Sequence, residues 1–388
     1  MNPFKYGRVV SAENFCPRPK LLKQLTGFIK SGQNVVLQGE RRTGKTSLLC
    51  ETVRQLKRHR MLYVDLLEIK TADDLCKRMV KALISMEQQA GLLERVLKSL
   101  SQLRPVVSVD PLTGQPSVSV DAGVRLRPDS LDGILDLVRE SHKRTRLVVA
   151  FDEFQDILNL ADSKETLAVL RSKIQFHKDI PYIFAGSVRN QMSALFTDPE
   201  SAFFKSAIAV DVGPLDREIF AGFLAGKFAL GKRIVDKETM AKVIEIAENV
   251  PGDVQELCEA LWETTSYKDA IHEDNIGQSL ELIYARESKG YEAALVLLTG
   301  QQVKCLVGLA RMGGKAPLSS AFVQGVGIAG PASIKKALNR LVQLKIVYRY
   351  EPYVACSPAT VSEPAMQGRG EYKFVNPFFK SWLQWKNY

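Results

Sequence analysis

The sequence predicts an α/β protein. A doubly wound, mainly parallel sheet with flanking helices is expected over residues 1–215, a helical domain over 216–298, and a small basic module over 299–388. Three observations predict it. Five apolar runs alternate with helical periodicities in the first part, helical patterns alone follow over 216–298, and the positive charge is concentrated at the end of the chain. Residues 301–388 carry 12 Lys or Arg against three Glu and no Asp, a net of +9, which leaves +1 of the total +10 for residues 1–300.

Residues 34–38 (Asn-Val-Val-Leu-Gln) form the first strand, because a short β-branched run leads into a glycine turn. A helical pattern follows from Lys45 to about Arg58. The apolar run 61–66 precedes a helix from about Ala72 to Gln89, whose Leu75, Met79, Ala82, Leu83 and Met86 share one face. Residues 105–121 break the alternation: two stretches of period two flank Pro111-Leu-Thr-Gly114, the pattern of an inserted β-hairpin. A helix near Ser130–His142 leads to the strand 146–152. One helix through about Lys178 then precedes the strands 180–186 and 207–212. Such a sheet gathers ligand-binding loops at the carboxyl ends of its strands.

From Asp216 helical patterns fill about 216–230, 236–248, 252–267 and 273–287. A third unit opens near Thr299, with helices at Gln301–Arg311, about Leu318–Gln324 and Pro331–Leu344, then strand-like stretches at 346–350 and 372–375. Three helices and a β-ribbon are the order of a winged helix. In the third helix Ile334, Ala337, Leu338 and Leu341 share one face, and Lys335, Lys336, Asn339 and Arg340 the other. The basic face suits a DNA groove, and Lys345, Arg349 and Arg369 around the wing suit phosphates. Double-stranded DNA is therefore the expected partner. Winged helices also dock proteins, so a protein partner is the alternative. Tyr372, Phe374, Phe378, Phe379, Trp382 and Trp385 read as core of this module and its junction rather than as a base-stacking platform.

At 388 residues, 45% hydrophobic and 25% charged, the composition excludes a disordered or fibrous chain. No run reaches 18 apolar residues and the start lacks an apolar leader, so a soluble, cytoplasmic protein without a membrane partner is expected. The six cysteines form no CxxC and no ligand spacing with the four histidines, so neither disulfides nor structural zinc are expected.

Gly39-Glu40-Arg41-Arg42-Thr43-Gly44-Lys45-Thr46 matches G-x-x-x-x-G-K-[ST] between a strand and a helix. Backbone N–H groups of such a loop turn inward around phosphates, Lys45 reaches their β and γ oxygens, and Thr46 offers a hydroxyl to Mg²⁺. This is the signature of a P-loop NTPase, which takes a nucleoside di- or triphosphate such as ADP or ATP. Leu147-Val-Val-Ala-Phe-Asp152-Glu153 places two carboxylates at a strand end: Asp152 for the Mg²⁺ shell, Glu153 to orient the attacking water. The strand ending in Gly186 delivers Ser187 to the same edge, where its hydroxyl is suited to the γ-phosphate or the water. Arg41 and Arg42 add positive charge inside the loop.

On these residues the chain resembles the archaeal-ATPase group of P-loop NTPases, related to the STAND and initiator-type AAA+ ATPases. The resemblance also draws on Asn2-Pro3-Phe4, Phe15-Cys-Pro-Arg18, Ser47, Tyr63-Val-Asp65, Val212-Gly-Pro-Leu215, Pro251-Gly-Asp-Val-Gln255 and the terminal Asn376-Pro-Phe-Phe379 with Trp382. It implies an AAA+-like parallel sheet, ATP bound between sheet domain and helical lid, and the Phe15–Arg18 segment near the adenine. Gln255 stands where many relatives carry a γ-phosphate-sensing arginine, which implies slow hydrolysis. A trans-acting arginine would come from a nucleotide-dependent homo-oligomer, for which Arg189 and Lys205 are the available cations. Two functions follow: a nucleotide-dependent switch whose winged helix binds DNA, or a signalling or scaffold ATPase whose winged helix binds protein. A small-molecule phosphotransferase is the weaker third, since no acceptor-binding region stands out.

Overall fold

The computed structural model describes residues 2–86, 105–109, 116–120, 128–187, 189–350 and 371–388. Val9–Gly213 forms one compact unit, and Met1–Arg8 with Pro214–Tyr388 the other. The first contains helices α1 (Pro19–Lys30), α2 (Lys45–Gln55), α3 (Ala72–Met86), α4 (Pro128–Arg144), α5 (Ser163–Ile174) and α6 (Arg189–Thr197). Its strands are β1 (Val35–Gln38), β2 (His59–Asp65), β3 (Pro105–Val109), β4 (Pro116–Val120), β5 (Arg146–Asp152), β6 (Tyr182–Gly186) and β7 (Ile208–Asp211).

Five strands pair in parallel in the order β2-β5-β6-β1-β7. Their register aligns the carboxyl ends: Gln38 is opposite Gly186 and Asp211, and Asp65 is opposite Asp152. Both faces are covered over the central strands β1, β5 and β6, which is why these three read as nearly unbroken apolar runs, whereas the edge strands β2 and β7 are partly exposed. Leu147, Val149 and Phe151 of β5 join a core with Leu75 and Met79 of α3, Leu131 and Ile134 of α4 and Leu170 of α5. Val148 and Ala150 turn to the opposite face, with Leu25 and Ile29 of α1 and Leu48 and Val53 of α2. β3 and β4 are antiparallel, as the alternation predicts, with Val107 opposite Val118; their turn lies outside the described residues, as does the expected end of α3 beyond Met86.

One expectation is corrected after β5. Instead of a single helix to Lys178, Phe154–Asn159 forms a 3-10 turn and α5 begins only at Ser163. Leu160 is extended, which interrupts the backbone ladder, while Phe154 and Ile157 of the short turn are buried. Helices α1 and α6 are additions to the elements expected from periodicity.

The second unit opens with α7 (Arg217–Ala229), α8 (Lys237–Ile246), α9 (Pro251–Thr264) and α10 (Asp274–Val296). It is not free of strands: β8 (Ile234–Val235) and β9 (Ala270–Ile271) form a two-residue parallel pair. α10 runs nine residues past the expected end at 287, because Tyr291 is buried and stacks on Phe379 with ring centroids 4.7 Å apart. The remainder is α11 (Gly300–Met312), α12 (Ser320–Val326), α13 (Pro331–Gln343), β10 (Val347–Tyr350), β11 (Glu371–Phe374) and α14 (Pro377–Trp385).

Two glycines set the packing of this last part. A Cβ at Gly308 of α11 would lie 2.0 Å from Val326 of α12, and one at Gly314 would lie 1.6 Å from the Tyr372 carbonyl. Gly314 thereby lets its own carbonyl accept from the Tyr372 N–H at 2.9 Å, tying the α11–α12 turn to β11. α14 is the element that carries most of the aromatic cluster. Asn376 Oδ1 caps it by accepting from the Phe378 and Phe379 N–H groups, and Phe378, Phe379 and Trp382 are buried while Trp385 stays 51% exposed. No described helix is long and apolar enough to cross a membrane.

Candidate functional site

The loop between β1 and α2 is shaped by residues that tolerate close approach and left-handed backbone. A Cβ at Gly39 would come 2.6 Å from the Val212 carbonyl, and Gly44 at φ +86° ends the loop and opens α2. Arg42 is also left-handed, at φ +64°, and Thr43 Oγ1 donates to the Glu40 carbonyl at 2.9 Å. Lys45 is buried and folds back over the loop, its Nζ donating to the carbonyls of Gly39 (3.1 Å) and Glu40 (2.8 Å). Burial pushes its ammonium below the usual lysine range, opposed by the Glu153 and Asp152 carboxylates.

The two predicted carboxylates meet this loop. Thr46 Oγ1 donates to Asp152 Oδ2 at 2.7 Å, and Asp152 Oδ1 accepts the Glu153 N–H at 3.1 Å. Tyr63 of β2 donates its hydroxyl to the same Oδ2, also at 2.7 Å. Sequence reasoning gives Tyr63 no role of its own. The signal is its place two residues before the end of a strand in register with β5, which brings its ring beside Asp152. Glu153 stands in the left-handed region at φ +49°, and its Oε2 accepts from Ser187 Oγ and from Gln155 Nε2, both at 2.7 Å. Arg41 Nε reaches Ser187 Oγ at 3.4 Å. Lys45, Thr46, Asp152, Glu153, Ser187 and Arg41 are thus brought together at the carboxyl ends of β1, β5 and β6.

The remaining expected nucleotide residues are placed differently from one another. Arg18 is buried against backbone, donating to the Thr43 carbonyl at 2.8 Å and the Gly213 carbonyl at 2.7 Å, and burial lowers its guanidinium to about 10. It therefore holds the far side of the loop to the segment after β7. Phe15 packs in the core under α2. Ser47 Oγ accepts the Val10 N–H at 3.1 Å, and Glu51, one turn on, accepts the Ala12 N–H at 3.0 Å, so the segment before α1 is pinned along α2. Gln255 belongs to the other unit, where it is buried in α9 and accepts the Lys5 N–H at 3.3 Å. Of the two candidate trans-acting cations, Arg189 opens α6 and Lys205 lies in an exposed left-handed turn at φ +50°.

Residues 29–189 match the AAA domain family. The chain carries an AAA domain. Residues 289–385 match a probable winged helix domain, which includes the end of α10 and all of α11–α13 and the β10–β11 ribbon. Solved structures also resemble the chain over nearly its whole length. The Walker-type ATPase of Pyrococcus abyssi is 18% identical over 97% of this chain and 98% of that one, with a TM-score of 0.61. The ORC2 protein of Aeropyrum pernix is 13% identical over 99% of each chain, with a TM-score of 0.54. At these identities the likeness is one of fold: a P-loop NTPase sheet followed by helices and a winged helix. No curated protein sequence matches the chain.

In the winged helix, Ile334, Ala337, Leu338 and Leu341 are buried, while Lys335, Lys336, Asn339 and Arg340 are exposed on the other side of α13. Lys345 follows in a left-handed turn at φ +56°, and Arg349 is exposed on β10. Arg369 lies outside the described residues.

Proposed function

We propose that the protein binds ATP with Mg²⁺, hydrolyses it slowly, and uses nucleotide occupancy as a switch on a winged helix that binds double-stranded DNA. The observation that carries the nucleotide reading is the contact between Thr46 and Asp152 at 2.7 Å beside a buried Lys45. A hydroxyl and one carboxylate are the hard oxygen donors that suit Mg²⁺, which takes few protein ligands and completes its shell with phosphate and water. Bound there, the ion would neutralise charge on the β- and γ-phosphate oxygens. Tyr63 keeps Asp152 oriented toward Thr46. Lys45 exchanges the Gly39 and Glu40 carbonyls for phosphate oxygens, and Arg41 adds charge at the same edge. Glu153 aligns the attacking water, and Ser187 contacts the γ-phosphate. Gln255 supplies no charge where relatives carry a sensing arginine, which supports slow turnover.

The DNA half of the reading is supported by charge and shape together. The +9 of residues 301–388 is displayed in part on α13, whose basic residues lie opposite its buried stripe. The domain division that accompanies this reading is a sheet domain to 215, a helical lid over 216–298 and the winged helix over 299–388. Purified Lys45→Ala is expected to lose ATP binding, whereas Glu153→Gln keeps binding and loses turnover, measured with a fluorescent ATP analogue and phosphate release. Unchanged turnover in Glu153→Gln would remove the role given to that carboxylate.

A further inference from the structure

Glu153 is held by more than Ser187. Gln155, 1% exposed, directs both hydrogens of its amide nitrogen at carboxylates: Glu153 Oε2 at 2.7 Å and Asp156 Oδ1 at 3.1 Å. Only the nitrogen side of the amide can serve two anions, so its orientation is fixed by chemistry. Its oxygen turns toward Gly186, where an added Cβ would come within 2.5 Å of it, so the glycine at the end of β6 leaves space for this amide. Asp156 is anchored in turn, its Oδ2 accepting the Glu68 N–H at 2.7 Å in the loop after β2. The donor facing Glu153 therefore belongs to a chain of bonds running from backbone through Asp156 and Gln155.

Ser187 differs in having a second task. On the hydrolysis reading its hydroxyl turns to the γ-phosphate during turnover, and its one proton then leaves Glu153. Gln155 stays, because both of its donors are already committed to carboxylates. We infer that Gln155 is a positioning residue that keeps the Glu153 carboxylate aimed while Ser187 changes partner, with Oε2 fixed and Oε1 left to take the water. This inference rests on the proposed hydrolysis and names the residue that would make Glu153 competent for it.

The test is steady-state ATP hydrolysis by the full chain with Mg²⁺, alongside titration of a fluorescent ATP analogue. Gln155→Leu keeps the bulk and removes both donors; Gln155→Asn keeps an amide in the pocket but falls one methylene short. Both are expected to lower kcat by about tenfold to a hundredfold, the range for a lost hydrogen bond to a charged group, with nucleotide affinity changed by no more than about twofold. In a Glu153→Gln background, Gln155→Leu should add no further loss, because the amide acts only through that carboxylate. Turnover close to wild type in either variant, or a full additional loss on top of Glu153→Gln, overturns the inference. Loss of nucleotide binding in both variants also overturns it, since the amide would then hold structure rather than aim a side chain. If the wild-type protein shows no turnover that Glu153→Gln removes, the hydrolysis reading fails and takes this one with it. Active wild type and inactive Glu153→Gln beside fully active Gln155 variants would sink this inference alone.

Discussion

A buried carboxylate is tolerated only where its charge is fully hydrogen-bonded. Glu51 meets that condition. Arg54 grips both of its oxygens at 2.7–2.8 Å, and the Ala12 N–H and Gln55 amide complete the set. These bonds, Arg54 first, hold its carboxyl at about 2 against the upward push of burial, from an ordinary value of 4.5. A depressed value means stability that is present above the unfolded value and lost as pH falls toward the folded one. Glu51→Gln is therefore expected to cost about 1 kcal/mol at pH 7, a charge-assisted bond reduced by solvent screening of the half-exposed Arg54. The gap between wild type and variant should close as pH drops from about 4.5 toward 2. Urea unfolding at pH 7, 4 and 3 measures it, and a gap independent of pH would remove the charge from the explanation. Glu51, Tyr63 and Gln155 share a reason for being hard to read from sequence. Lys45, Thr46, Asp152 and Glu153 announce themselves by spacing along the chain, whereas these three acquire their roles from register and from a segment that crosses α2.

Among the elements, α13 is where periodicity is most informative. Its apolar stripe at Ile334, Ala337, Leu338 and Leu341 is buried as the 3.6-residue period requires, and the basic residues follow on the opposite side by geometry alone. The same rule underreads α10 and α14, whose limits are set by packing of Tyr291 on Phe379 and by the Asn376 cap rather than by a stripe. It overreads the segment after Glu153, where apolar residues continue but the backbone leaves the helix at Leu160. On the proposed reading, α13 meets DNA with Lys335, Lys336 and Arg340. Replacing all three by alanine should weaken duplex binding about tenfold or more at moderate salt. It should also flatten the dependence of log affinity on log salt by about 2 to 3, near 0.9 for each phosphate no longer neutralised. Fluorescence anisotropy with a labelled duplex over a salt series reads both. No change in either would assign the face to a protein partner.

Across the whole molecule, the chain passes between its two units twice, at Arg8–Val9 and at Gly213–Pro214. Both crossings lie next to bonds made with the phosphate loop or its helix. Val10 donates to Ser47 two residues after the first, and the Gly213 carbonyl accepts from Arg18, which also holds Thr43, at the second. On the proposed reading, a nucleotide that reshapes the loop would act on residues adjoining both covalent links, a route by which occupancy would bias the second unit. Coupling is reciprocal in binding free energy, so on the proposed reading DNA would alter nucleotide affinity by the same factor as nucleotide alters DNA affinity. Duplex DNA is accordingly expected to change ATP affinity or turnover by about fivefold or more, the usual scale of coupling between sites. The effect should fade as salt rises, because most of the charge excess lies in residues 301–388. Phosphate release and nucleotide titration, each with and without duplex at low and moderate salt, check this. Tight ATP binding and turnover indifferent to DNA at every salt would uncouple the basic module from the AAA domain. Residues 301–388 would then be the bait with which to seek a protein partner.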